Sequence, residues 1–355
     1  MEVMDNNIAI EKCKTSKIND VDFDNLSFGS VYTDHMVVCD YKDGKWLAPK
    51  IVPYGPISLN PSAKIFHYGQ SIFEGMKAYK DEDGKIWLFR PTDNHARLNK
   101  SAERMAIPEI PQSYFMQGLE ALLKVDSDWI PQNPGSSLYI RPFMFASGEG
   151  FHASPANEYK FIIACAPSGS YFSGKVKVLI EQTYSRAANG GVGYAKAGGN
   201  YAGQFYPTKL AAEKGYQQII WTDDNNHEFI EEAGAMNIFI RINDTLITAP
   251  TNDRILDGIT RKSILKIAED EGITTEVRKV SVAEVVAAAK DGSLKEMFGA
   301  GTAAVISPLA GFGYDGTDYD LPELEHPFAA RLKKRITDIQ YNRAEDKFGW
   351  RYEVK

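Results

Sequence analysis

A lysine set in a run of small residues is the feature of this sequence best suited to covalent chemistry: Gly190-Gly-Val-Gly-Tyr-Ala-Lys196-Ala-Gly-Gly-Asn-Tyr201. Glycines let a backbone approach an anion closely. A lysine held partly out of water has a lowered pKa, so its neutral amine can attack a carbonyl carbon. Two phosphate-binding signatures do not fit. A P-loop needs Ser or Thr directly after its lysine, and here Ala197 follows; a dinucleotide fingerprint needs Gly-x-Gly-x-x-Gly, and Gly191-Val-Gly193 is followed by Tyr194-Ala195-Lys196. Taken alone, the segment also reads as a flexible surface loop with a solvated lysine.

A second candidate is Glu231-Glu232-Ala-Gly-Ala-Met-Asn237. Glu231 reads as a solvated strand edge. Glu232 stands just before a small-residue turn, where its carboxylate can enter a cleft and pair with a ring nitrogen. In Leu256-Asp-Gly-Ile259-Thr260-Arg261 a turn leads into a helix, whose free N–H groups and positive dipole end suit a phosphate. The plainer reading is an N-cap at Thr260. Gly299-Ala-Gly301-Thr302-Ala303-Ala304 reads as another small-residue loop, between strands, able to present backbone donors. Leu88-Phe-Arg90-Pro and Tyr139-Ile-Arg141-Pro each set an arginine before a proline at a strand end, where surface ion pairing is the usual fate.

These segments need elements to hold them. The first half shows short strand-like runs broken by Gly, Pro and Asp: Met36–Cys39, Ile86–Phe89, Ser137–Pro142 and Tyr159–Cys165. Helical stretches lie near Thr92–Met105 and Ser113–Val125, and Asp126–Gly135 reads as a loop. Residues 167–174 form a small, polar linker, which predicts a first domain over 1–166 and a second over 175–355. In the second half a helix follows the glycine cluster and ends near Gly215. Strands are expected over Gln217–Thr222, Phe229–Glu232, Asn237–Arg241 and Thr245–Thr248. A helix runs from Gly258 to about Glu271, another covers Val282–Lys290, and a closing helix starts at Pro327. Strands and helices mix without a strict βαβ rhythm, which favours α+β.

Composition excludes several classes of function. The chain has 355 residues, 43% of them hydrophobic and 25% charged, enough for two packed domains. A net charge of -7 argues against a nucleic-acid binder. Three scattered cysteines cannot frame disulfides or a thiolate zinc site, and the six histidines show no ligand spacing, so no metal is expected. The first residues lack the basic start and apolar stretch of a signal peptide, and no run nears the ~18 apolar residues of a membrane helix. A cytoplasmic setting without nucleic acid or membrane partners is the expectation.

Weak singly, the segments resemble in their order the branched-chain amino-acid aminotransferases, pyridoxal-5'-phosphate (PLP) enzymes of fold type IV. The resemblance runs from Phe28-Gly-Ser-Val-Tyr-Thr-Asp-His-Met36 to beyond Thr302. Its most specific pieces are Phe73-Glu-Gly-Met-Lys-Ala, Gly-Gly-Asn-Tyr201 after Lys196, Glu232-Ala-Gly-Ala-Met-Asn and Gly301-Thr302-Ala303. It implies a two-domain, mixed α/β fold like that of D-amino-acid aminotransferase, with the cofactor in the interdomain cleft, and a homodimer or larger assembly.

Carried over by matched position, Lys196 holds PLP as a Schiff base and shuttles the substrate proton. Tyr201 meets the cofactor's phenolic oxygen and Glu232 its ring nitrogen. Arg90 joins the cofactor-binding set; Arg186, the N–H groups of Ile259 and Thr260, and Thr302 hold the phosphate. Tyr68, Arg141 and the Thr302–Ala303 backbone orient substrate carboxylates. Phe28, Phe73, Tyr139, Tyr171 and Met236 form an apolar wall. The implied reaction moves the amino group of leucine, isoleucine or valine to 2-oxoglutarate. Two positions depart from relatives: Ala304 and Ser307 stand where mammalian members carry Cys-x-x-Cys, and Ala235 where several carry threonine. The rivals are a D-amino-acid aminotransferase, an aminodeoxychorismate lyase of the same fold, or a phosphate-binding protein without catalysis. The last would not need Lys196 and Glu232 together.

Overall fold

The protein is described here by a computed structural model covering residues 8–133, 135–169 and 176–355. They divide into two compact units, one within Met1–Tyr171 together with Gln340–Lys355, the other within Phe172–Ile339. Part of the expected linker, residues 170–174, lies outside the described residues; 167 and 168 end the strand Tyr159–Ser168.

The first unit is built on a ten-stranded sheet whose main path runs Ala9–Ile10, Lys50–Pro53, His35–Lys42, Tyr159–Ser168, Ser137–Ala146, Met76–Lys80, Ile86–Phe89 and Arg351–Val354. Among its pairings only Ala9–Ile10 with Lys50–Pro53 is parallel. Tyr159–Ser168 and Ser137–Ala146 pair over ten residues each and are buried almost throughout, as central strands with both faces covered must be. The helices Pro91–Arg104 and Gln112–Val125 cover the sheet. The second buries Phe115, Leu119, Leu122 and Leu123, an apolar stripe at helical spacing. Pro91 opens its helix at a position where the missing N–H costs nothing.

The last strand was not legible in the sequence. Arg351–Val354 pairs antiparallel with Ile86–Phe89, so the chain's end joins the first unit, whereas the sequence reading ran the second domain to 355. The stacked rings of Phe348 and Trp350, 4.2 Å apart, and the edge contact of Trp350 with Phe89 hold the approach to it.

In the second unit the pairings close on themselves. Ile230–Ala233, Gln218–Thr222, Val176–Ile180, Val305–Tyr314, Leu294–Gly301 and Met236–Ile242 follow one another, and Met236–Ile242 pairs back to Ile230–Ala233. Val178, Ile220, Ile238, Ile240, Met297 and Phe312 share a buried cluster with Val282 and Val285 of the helix Val282–Asp291. That helix is capped at both ends. The Ser281 side chain accepts from the Glu284 N–H, and Gly292 takes the left-handed conformation at φ 79°. Gly215, at φ 90°, follows the helix Phe205–Glu213 in the same conformation. Antiparallel pairs dominate both sheets, and the fold is mixed α/β as expected. Among the described residues no helix is long and apolar enough to cross a membrane.

Candidate active site

Lys196 lies in the turn-rich segment between Val176–Ile180 and the helix Gly198–Ala202. Its neighbours Ala195 and Ala197 are buried, and the Asn200 amide staples the segment by donating to the carbonyls of Val192 and Ala195 at 2.9 and 2.8 Å. The half-buried Lys196 Nζ donates to Tyr201 Oη at 2.8 Å. The glycine cluster has a steric cause at Gly193. A Cβ there would meet the Arg254 Cα at 2.6 Å and its carbonyl oxygen at 2.7 Å. Because the obstacle is backbone, Gly193→Ala is expected to cost about 1–3 kcal/mol, read as a lower midpoint in urea unfolding.

Arg186 ties this segment to the sheet. Its Nη1 donates to the carbonyls of Gly193 and Arg254 at 2.9 and 2.5 Å, and its Nε pairs with Glu232 Oε2 at 3.2 Å. Glu232 Oε1 accepts the Leu256 N–H at 2.5 Å. Burial pushes the Glu232 carboxyl upward, while Arg186, the Leu256 N–H and Lys196 oppose that shift. Lys196 is therefore within electrostatic reach of Glu232. Glu231 is no solvated edge. It is buried, and its Oε1 pairs with Arg254 Nε at 2.7 Å, because Ile230–Ala233 lies between two partner strands.

The helix Ile259–Asp270 starts beside this group. Its N-cap is Gly258, with no side-chain cap, so Thr260 is inside the first turn and is not the N-cap of the plainer sequence reading. The Gly299–Gly301 stretch belongs to the strand Leu294–Gly301, and only residues 302–304 form the turn, carrying Thr302 and Ala303. The turn ends at Val305 with φ 60°, a conformation that a β-branched residue rarely takes. Met236 packs on this strand: a Cβ at Gly299 would meet its Cε at 2.6 Å.

The predicted residues of the first unit form a second group. The rings of Phe28 and Tyr139 meet edge to face at 4.8 Å. Arg141 lies over the Phe73 ring at 4.5 Å and donates through Nη2 to Tyr139 Oη at 2.9 Å. Its Nε is buried without an acceptor among the described residues. Phe28, Tyr139 and Arg141, with Tyr32, Tyr54 and Cys165, line a cavity of about 460 Å³, a volume suited to a small organic ligand. Among the described residues Arg141 makes no ion pair. Arg90 does pair with an acid, Asp93, at 2.9 Å; it also lies over the Trp350 ring at 5.2 Å and takes φ 53°. The Tyr68 hydroxyl donates to the Phe151 carbonyl. Tyr171 lies outside the described residues.

Sequence reasoning passed over several side chains that shape these groups. Glu74 is fully buried, accepting from Arg97 Nε and Nη2 at 2.7 and 2.8 Å and from Asn94 Nδ2 at 2.8 Å. An acid between an aromatic and a glycine, with Asn94 and Arg97 three apart on one helix face, was the available signal. Asn237 was quoted but given no role, and Arg254 was not singled out.

The amino-transferase class IV family model matches residues 71–311. The branched-chain-amino-acid aminotransferase 2 of Bacillus subtilis is 43% identical over 352 residues, covering 98% of this chain and 97% of that protein. The crystal structure of branched-chain aminotransferase from Thermoproteus uzoniensis with norvaline superposes with TM-score 0.76 at 24% identity, over 90% of this chain and 100% of that one. The branched-chain amino acid aminotransferase of Escherichia coli gives 0.72 at 27%, over 89% and 99%. A family match across more than half of the sequence and a near full-length relative at this identity lead to one conclusion: the chain belongs to the class IV amino-transferases, on the branched-chain-amino-acid aminotransferase branch.

Proposed function

We propose that this chain moves the amino group of L-leucine, L-isoleucine or L-valine to 2-oxoglutarate, using PLP, in two half-reactions at one set of residues. The observation that carries the reading is the lysine–tyrosine pair, Lys196 Nζ to Tyr201 Oη at 2.8 Å, within electrostatic reach of the buried Glu232. The residues present suit the cofactor. Bound PLP supplies an aldehyde that condenses with amines and a ring that draws electrons from the bond being broken. Lys196 would hold the cofactor through its amine and would carry the substrate's α-proton. Tyr201 Oη takes the phenolic oxygen. Glu232, held by Arg186 and the Leu256 N–H, keeps the ring nitrogen protonated. Arg186, Thr302 and the first-turn N–H groups at Ile259 and Thr260 serve the phosphate, and Arg90 joins them.

Arg141 supports the two-substrate reading. Its buried, unpartnered Nε suits the distal carboxylate of glutamate, which a guanidinium can bind bidentately. With an aliphatic side chain bound, Tyr139 Oη keeps Nη2 satisfied. Phe28, Phe73, Tyr139 and Met236, with Tyr171, serve as the apolar wall. Tyr68, Thr302 and Ala303 orient carboxylates. The three free cysteines suit a reducing cytoplasm, and the exposed aromatics Phe66, Tyr68 and Phe151 suit a homodimer or larger assembly.

The test is a visible absorbance spectrum of PLP-loaded protein. L-leucine is expected to bleach the bound-cofactor band and 2-oxoglutarate to restore it, with D-leucine inert. A band indifferent to L-leucine but bleached by D-leucine would replace this reading with D-amino-acid transamination.

A further inference from the structure

Ile230–Ala233 and Met236–Ile242 set Glu232 and Asn237 directly opposite each other in an antiparallel pair, so both side chains stand on one face of the sheet. The two grip the same residue. Glu232 Oε1 accepts the Leu256 N–H at 2.5 Å, and Asn237 Nδ2 donates to the Leu256 carbonyl at 2.9 Å. The other end of the Asn237 amide, Oδ1, takes up the space beside Gly258 where a side chain would go: a Cβ there would lie 1.9 Å from it. Gly258 is the N-cap of the helix Ile259–Asp270. Glu232, Asn237 and Leu256 are all more than nine-tenths buried, so water is a poor substitute for any of these bonds.

We infer that Asn237 is a positioning residue: it locks the turn that opens the helix Ile259–Asp270 to the strand pair that carries Glu232. This rests on the function proposed above. The cofactor is a rigid ring with a short phosphate arm, so its ring nitrogen and phosphate are a nearly fixed distance apart. Glu232 serves one end and the N–H groups of Ile259 and Thr260 the other. The Asn237–Leu256–Gly258 contacts hold those two protein groups at one spacing. The Asn237 amide donates to the turn through Nδ2 and stands against Gly258 through Oδ1, so it acts through the turn and not on the reacting atoms.

The role predicts a loss confined to the phosphate end. Two variants perturb the turn from opposite sides: Asn237→Leu removes the donor to the Leu256 carbonyl at similar volume, and Gly258→Ala pushes a methyl against Asn237 Oδ1. Gly258 has φ -68° and ψ 127°, which alanine adopts without backbone strain, so the second variant acts through side-chain contact, mainly with Asn237 and less with Arg261 Cβ at 3.2 Å. The measurement is the dissociation constant of PLP and of pyridoxal, which lacks the phosphate, by absorbance titration of the apoprotein. In both variants PLP binding is expected to weaken by about 10-fold or more, because a buried carbonyl loses its donor or the turn is displaced. Pyridoxal binding is expected to stay within about 3-fold of wild type. Gly258→Ala decides the matter if Asn237→Leu does not fold. Unchanged PLP affinity overturns the inference, and so does an equal weakening of PLP and pyridoxal, which marks a general loss of packing. Wild-type protein that takes up neither compound overturns the functional reading, and the inference with it.

Discussion

Replacing Lys196 by alanine is expected to lower the rate of L-leucine transamination by about 10³-fold or more, the scale of a lost proton carrier compounded by loss of the amine that meets the cofactor aldehyde. The expectation follows from where the side chain is held. Nζ is held on Tyr201 Oη at 2.8 Å, and the backbone on both sides is anchored by buried alanines and the Asn200 staple, so the amine is kept in one place. The contacts assigned to the ring nitrogen and the phosphate do not involve Lys196. The variant should therefore still bind PLP, but without the covalent link, and lose it faster on dialysis. Coupled assay of 2-oxoglutarate-dependent turnover, with a thermal melt to confirm folding, makes the comparison. Near-wild-type turnover in a folded variant would falsify the assignment of Lys196.

The second large effect is on stability, at Glu74 and Arg97. Arg97→Ala takes the guanidinium away from a fully buried carboxylate that also accepts from the Asn94 amide and the Gly75 N–H, and removing one partner of a buried ion pair typically costs about 3–5 kcal/mol. Against a total stability of roughly 5–15 kcal/mol that is a large share. The double variant Glu74→Gln, Arg97→Met should cost less than Arg97→Ala, because it removes both charges while keeping most of the volume. Urea unfolding of the three proteins tests the ordering. A cost below about 1 kcal/mol for Arg97→Ala, the level of an exposed pair, would show that the carboxylate is not isolated from water. The consequence reaches the Arg141 group. Glu74 sits between Phe73, which faces the Arg141 guanidinium, and Gly75, where a Cβ would come within 2.3 Å of Tyr139 Oη.

Local patterns in the sequence were enough wherever burial follows from them. Ile86–Phe89 and Thr245–Thr248 match their sequence-based bounds, since short apolar runs bounded by turn residues have one way to be buried. The helices expected near Thr92–Met105 and Ser113–Val125 are found at Pro91–Arg104 and Gln112–Val125, where Pro91 at the start and the spacing of Phe115, Leu119, Leu122 and Leu123 are the local signals. Lys196, Tyr201 and Glu232 were singled out together by the resemblance of their order and spacing, and the structure sets Lys196 on Tyr201 and buries Glu232.

What escaped the sequence depends on distant parts of the chain. Arg351–Val354 is half-buried and short, and only its pairing with Ile86–Phe89, some 260 residues earlier (about the whole span between them), makes it a strand. Glu231 reads as an exposed acid until Arg254 meets it at 2.7 Å. Thr260 reads as a cap until Gly258 takes that place, and Glu74 gives no sign of its burial before Arg97 and Asn94 close over it. The sequence by itself determined which residues could carry the chemistry and most of the elements beneath them, because hydrophobic period and turn chemistry are local. Only the tertiary structure decided which charges are buried and who partners them, because a carboxylate's environment is made by side chains that the chain brings back from far away.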